Sequence, residues 1–221
     1  MKMDAPGMQG LPTGERTEPS DRGLAPYRRL AIQLQRDLAG GKAPRSVLLA
    51  GPGDAAVAAQ ASVTLAACMG EELRQRILLI DASPEAEITR LLGCADEPGF
   101  ADLLHDPDLP ADGMLLPTTL EFVRFLPAGV VGGLTRMHAA VDPGSLLRRL
   151  EGRDELMVLS AGSVLNGTAA LTLAPLASFV LLVAVENETL TVDLESAQRS
   201  LRLCKAGQIG ILMASAGRGR R

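Results

Sequence analysis

Residues 46–54 read Ser46-Val47-Leu48-Leu49-Ala50-Gly51-Pro52-Gly53-Asp54, and the alanine-rich stretch Ala55-Ala56-Val57-Ala58-Ala59 follows. The opening five residues are a continuous apolar run closed by Gly and Pro, the pattern of a strand covered on both faces. A glycine-rich turn between a first strand and a first helix is where α/β folds grip phosphate, because the helix N-terminus presents unpaired N–H groups. A working loop of this kind also needs a lysine for the β- and γ-phosphates and a Ser or Thr hydroxyl for Mg²⁺. Neither is present between Gly51 and Ala59.

Outward from this turn, short apolar runs alternate with helical patterns. Strands are predicted at 46–50, 76–82, 122–128, 156–161, 178–185 and 208–214. Helices are predicted at 26–39, 57–69, 85–92, 143–150, 168–173 and 189–204. In the first of these helices Leu30, Leu34 and Leu38 recur every four residues and make one apolar stripe. The alternation predicts an α/β fold: a mostly parallel sheet with helices on both faces. Right-handed crossovers then gather the loops that follow the strands at one edge, where such folds bind ligands.

The chain has 221 residues, 47% hydrophobic and 22% charged, which suits one globular domain and excludes disorder throughout. The run from Phe179 to Val185 is too short to cross a bilayer. The N-terminus lacks the apolar core of a signal peptide. With no Trp, one Tyr and four Phe, the chain has few stacking platforms for single-stranded nucleic acid. A net charge of −4 and a pI near 5.3 also disfavour nucleic acid as a partner. Residues 1–23 read as a disordered arm, 24–214 as the domain, and 215–221 as a basic, solvated tail.

Cys68, Cys94 and Cys204 are far apart and odd in number, which predicts reduced, buried thiols in a cytoplasmic protein. His105 and His138 are isolated and read as surface residues, so no metal site is expected. Met137, Met157 and Met213 read as core fillers. Glu186 and Glu188 read as a solvated loop. Ser160 and Ser163 have no histidine placed to activate them and read as small filler residues.

The order of parts resembles the cytoplasmic ATPase domain of bacterial tyrosine kinases, within the P-loop ATPases that include the MinD and ParA proteins. Ala25-Pro26-Tyr27-Arg28-Arg29-Leu30-Ala31 is similar to that family's opening helix, Gly51-Pro52-Gly53-Asp54 to its phosphate loop, and Ile77-Leu78-Leu79-Ile80-Asp81-Ala82-Ser83 to its second strand. Further matches are Glu97-Pro98-Gly99-Phe100-Ala101-Asp102-Leu103-Leu104, Leu126-Pro127-Ala128-Gly129 and Leu173-Ala174-Pro175-Leu176-Ala177. They span roughly residues 25–214 in the family's order.

The departures fall on the positions that the resemblance marks as chemical. Ala56 stands where the family has its phosphate-binding lysine, and Val57 where it has the Mg²⁺-binding hydroxyl. A register shifted back by two residues places Asp54 and Ala55 there instead. A lysine–phosphate attraction at ~4 Å is worth about 4 kcal/mol with an effective dielectric near 20. The only lysines are Lys2, Lys42 and Lys205, and Lys42 is expected at the far end of the sheet. Asp81 is kept, but Ser83 and Ser160 replace the family's other acidic residues. Ala214 ends the last strand where the family has an adenine-reading asparagine, and the acceptor tyrosine cluster is missing, Tyr27 being the single tyrosine.

Asp81 is read as a strand-end residue that caps a neighbouring loop. Arg28 and Arg29 are read equally as partner contacts or as the solvated face of an amphipathic helix.

The resemblance, with these departures, implies a pseudo-enzyme without ATP or Mg²⁺. It would be a cytoplasmic partner of an inner-membrane polysaccharide co-polymerase or chain-length regulator, peripheral at the membrane through that partner, with itself or an active homologue as further partners. Exopolysaccharide, capsule, cellulose and holdfast synthesis and export are the settings implied. The Ala-, Gly- and Arg-rich usage suits a GC-rich genome, such as those of holdfast-forming alphaproteobacteria. Two alternatives are a remnant ATPase or tyrosine kinase that binds nucleotide weakly, and a MinD- or ParA-like positioning factor. The last of these needs an amphipathic C-terminal helix, which Gly217-Arg218-Gly219-Arg220-Arg221 does not supply.

Overall fold

The computed structural model describes residues 21–39, 45–106, 108–130, 142–151 and 155–214. The predicted core strands all form. They are β1 (Ser46–Gly51), β2 (Arg76–Asp81), β4 (Val123–Leu126), β5 (Glu155–Ser163), β6 (Phe179–Val185) and β7 (Gln208–Ala214). A two-residue strand, β3 (Leu116–Pro117), joins them, and the sheet order is β3-β4-β2-β5-β1-β6-β7. All pairings are parallel except β3 with β4. β1 lies in the interior of the sheet between β5 and β6 and is buried at every residue, which is why its sequence is continuously apolar rather than alternating.

The helices are α1 (Asp21–Ala39), α2 (Ala55–Leu73), α3 (Glu87–Leu91), α4 (Phe100–His105), α5 (Pro143–Leu150), α6 (Ala169–Leu173) and α7 (Thr191–Leu203). They divide between two cores. On one face α1, α2 and α3 pack on Val47, Leu49, Ile77, Leu79 and Val158. On the other, α4 to α7 pack on Leu48, Leu78, Met157, Leu159 and Leu182. Successive strand residues alternate between these faces, as the period of two requires. The α2 surface toward the sheet is mostly alanine (Ala58, Ala59, Ala61 and Ala66), so this helix sits close over the central strands.

Several expectations need correction. α1 begins at Asp21, not at Pro26, so Asp21–Gly23 of the supposed arm are helical and the proline lies inside the helix. α4 was not predicted. It is only six residues long, and its register is fixed by tertiary bonds: Phe100 N–H donates to Pro127 O at 2.8 Å and Ala101 N–H to Ala128 O at 2.8 Å. Met157 is core, but Met213 is 55% exposed on β7, an edge strand of the sheet. Cys68 is buried, whereas Cys94 and Cys204 are half-buried. His105, Glu186 and Glu188 are exposed as expected. Lys42, Met137 and His138, together with the arm 1–20 and the tail 215–221, lie outside the described residues.

Candidate functional site

All parallel strands end at the same edge, so the β1–α2 turn, the ends of β2 and β5, and the β6–α7 turn face one region. The β1–α2 turn is bound tightly to the chain that follows β5. Val164 N–H donates to Gly51 O (2.9 Å) and Leu165 N–H to Pro52 O (3.0 Å). Ser163 Oγ donates to Pro52 O (3.2 Å) and Asn166 Nδ2 to Gly53 O (2.9 Å). Three successive carbonyls of the turn are thereby committed to residues 163–166. A register shift between Leu49 and Gly51 brings Gly51 opposite Ser163 and makes this possible.

Gly51 is required by space. A Cβ there would lie 1.9 Å from the carbonyl oxygen of Asp54, whereas a Cβ on Gly53 would meet nothing within 4 Å. The turn therefore folds back on itself. Asp54 then caps α2, its Oδ1 accepting from Ala56 N–H at 2.9 Å. Asp is a strong N-cap because its carboxylate meets otherwise unpaired N–H groups at the positive end of the helix dipole. The first turn of α2 carries Ala55, Ala56 and Val57, with no cation. Lys205, the one lysine among the described residues, follows α7 and precedes β7, which places it at the opposite edge of the sheet.

Asp81, at the end of β2, is fully buried. Its carboxylate accepts from Thr89 N–H (2.9 Å), Thr89 Oγ1 (2.8 Å) and Ser83 N–H (3.2 Å). Thr89 Oγ1 in turn accepts from Ala128 N–H at 2.8 Å. One carboxylate thus ties β2 to α3 and, through Thr89, to the chain after β4. Burial pushes its pKa above the ordinary carboxylate value, opposed by the bonds from Thr89 and Ser83. The role expected from the sequence, a cap on neighbouring loops, is what the geometry shows.

Ser83 and Ser160 are buried at the ends of β2 and β5, and neither hydroxyl has a hydrogen-bond partner among the described residues. Glu85, which sequence reasoning did not single out, reaches over the same spot. A Cβ on Gly162, which has φ +71°, would stand 2.4 Å from Glu85 Oε2 and 3.2 Å from Ser83 Cβ. Glu85 Oε2 is itself buried without a partner among the described residues. No sequence signal marks Glu85, since its approach depends on a left-handed glycine 77 residues away, from 85 to 162. Among the described residues no three His, Cys, Asp or Glu side chains group to hold a metal.

Beside the capped turn lies a cleft of about 290 Å³ between the β1–α2 and β6–α7 connections. Val57, Val183, Val185 and Leu190 form its apolar walls. Its charged groups are Asp54, Glu188 and Asp193, and none of the residues lining it is basic.

Arg28 lies elsewhere, on α1, where Nε stands 3.2 Å from Glu72 Oε1 of α2. Arg28 is thus paired within the chain while staying partly exposed, and Arg29 is exposed. Tyr27 is half-buried against the α1–α2 core, and burial raises its pKa.

No family model matches the sequence, and no curated protein matches it. Solved structures do match. The BceF tyrosine kinase domain superposes with a TM-score of 0.75 at 22% identity, over 89% of this chain and 79% of that one. The chain has the fold of bacterial tyrosine-kinase domains. The kinase domain of the Escherichia coli tyrosine kinase ETK gives 0.74 at 17% identity, over 93% and 80%. A plasmid partition protein from Borrelia burgdorferi gives 0.60 at 13% identity, over 77% and 78%, and shares the fold. No helix among the described residues is long and apolar enough to cross a membrane.

Proposed function

We propose that the chain is a pseudo-enzyme: a non-catalytic, cytoplasmic partner of an inner-membrane polysaccharide co-polymerase in exopolysaccharide, capsule or holdfast synthesis and export. The observation that carries this reading is the start of α2, where Asp54 places a carboxylate on the helix N-terminus that phosphate would need. The residues present do not fit a magnesium nucleotide. The turn offers no cation, its carbonyls are committed to residues 163–166, and the adjoining cleft carries three carboxylates. At the positions of the family's acidic residues, Asp81 is committed to Thr89 and Ser83, while Ser83 and Ser160 carry only hydroxyls. Phosphoryl transfer depends on positive charge positioned at the phosphates, and the residues lining the turn and the cleft supply none. Holding a complex together through shape requires none.

Calorimetric titration with Mg·ATP at millimolar nucleotide is expected to be flat. A saturable heat would overturn the non-catalytic reading in favour of a nucleotide-binding remnant. The same titration bears on a ParA-like positioning role, which depends on ATP. The membrane side is tested by purifying the tagged chain from detergent-solubilised inner membranes. A polysaccharide co-polymerase should accompany it, and polysaccharide lost on deletion should return with a Ser160→Ala variant. Failure of that variant to restore polysaccharide, with the protein folded, would refute a non-enzymatic role.

A further inference from the structure

The 290 Å³ cleft is lined by aliphatic side chains and by three carboxylates, with no basic residue among the described residues that line it. Glu188 and Asp193 make no ion pair or side-chain hydrogen bond among the described residues, while Asp54 caps α2. Such a site disfavours phosphate and favours a cationic ligand with an aliphatic stem, which is the chemistry of an arginine side chain. The position of the last strand supplies a candidate. β7 ends at Ala214, which pairs with Val185 in the cleft wall, and Glu186 N–H donates to Ala214 O at 3.0 Å. The sequence continues Ser215-Ala216-Gly217-Arg218-Gly219-Arg220-Arg221. Seven residues reach about 23 Å at ~3.3 Å each, enough to carry three guanidinium groups back over the cleft.

We propose that the cleft is a docking site for the chain's own segment 215–221, with Arg218, Arg220 and Arg221 set against Glu188, Asp193 and the open side of Asp54. Three positive charges meet three negative ones, and the arginine stems cover Val57, Val185 and Leu190. The glycines at 217 and 219 leave the backbone free to follow the wall without side-chain bulk. Because the segment starts at the cleft rim, its effective concentration there is high, so modest ion pairs suffice. The inference goes beyond the proposed function and stands whether or not the chain has a membrane partner.

Trypsin cleavage after Arg218 and Arg220 of the full chain, followed by mass spectrometry, reads the docking directly. At low salt cleavage should be at least about fivefold slower than in a Glu188→Gln/Asp193→Asn variant. The difference should vanish near 1 M salt, where the screening length falls to about 3 Å. Equal rates in the two proteins, with no salt dependence, would overturn the proposal. Protection that grows with protein concentration would also overturn it, since the segment would then be seated on a second copy. As a check that leaves the cleft intact, the full chain carrying Arg218→Gln, Arg220→Gln and Arg221→Gln should shift the amide resonances of Glu188, Thr189 and Leu190. Unmoved resonances would refute docking.

Discussion

Replacing Asp81 separates a structural carboxylate from a catalytic one. Asp81→Ala removes the acceptor for three donors, Thr89 N–H, Thr89 Oγ1 and Ser83 N–H, all buried at the end of β2. A buried donor left without a partner costs about 1–3 kcal/mol. The Thr89 hydroxyl can rotate to another acceptor, so the lower end of that range applies, and the sum comes to about 3 kcal/mol. For a domain of this size that corresponds to a midpoint about 6–12 °C lower in thermal unfolding followed by circular dichroism. Thr89→Ala breaks the same link and also frees Ala128 N–H, so the double variant should be less destabilised than the two single ones summed, by about 1 kcal/mol or more. The pH dependence gives a second reading. Burial raises the Asp81 pKa, so the folded protein holds this proton more tightly than the unfolded chain does. The stability the group contributes is then fullest below the unfolded carboxylate range and declines as pH rises through the folded value. Asp81→Asn should therefore cost more near pH 4 than at pH 7. A midpoint for Asp81→Ala within 2 °C of the parent, or an Asp81→Asn penalty that grows with pH, would refute this reasoning.

Gly51→Ala should destabilise the protein by about 1–3 kcal/mol in urea unfolding, because the new methyl meets the Asp54 carbonyl, whereas Gly53→Ala should cost less than about 1 kcal/mol. Arg124→Ala leaves Glu155, whose side chain is only 2% exposed, without its ion partner. The loss should stay below the ~3–5 kcal/mol of a fully buried pair, because Arg124 is 42% exposed, and Glu155→Gln in the same background should recover part of it. Asp54→Ala should lower stability by about 1 kcal/mol through the lost cap, measured by denaturant midpoint.

The central architecture was legible because buried parallel strands leave uninterrupted apolar runs. β1, β2, β6 and β7 were each placed within a residue, and the alternation with helices fixed the layering. Asp81 was legible as a cap because a lone strand-end carboxylate with no acidic neighbour has little else to do. What the sequence hid depends on contacts between distant residues. α4 is too short for a periodic signal, and its first turn is ordered by carbonyls of residues 127 and 128. α1 extends five residues ahead of Pro26, although an interior proline loses one N–H bond and its ring crowds the carbonyl four residues back, which is why the sequence pointed to a start at the proline. Met213 resembles core in composition, yet it lies on an edge strand. At the candidate site the missing cation was visible in the residue types. The capping by Asp54, the binding of the turn to residues 163–166 and the approach of Glu85 to Gly162 came only with the fold.

The placement of Tyr27 has an optical consequence. The chain has no tryptophan and a single tyrosine, and that tyrosine sits half-buried where α1 meets α2. All intrinsic tyrosine fluorescence and the dominant near-ultraviolet absorption of this protein therefore originate at one helix–helix contact. A change in that signal on heating or on adding a partner reports α1 lifting from α2, free of background from the rest of the molecule. A tryptophan placed elsewhere by mutation would be the only emitter of its kind.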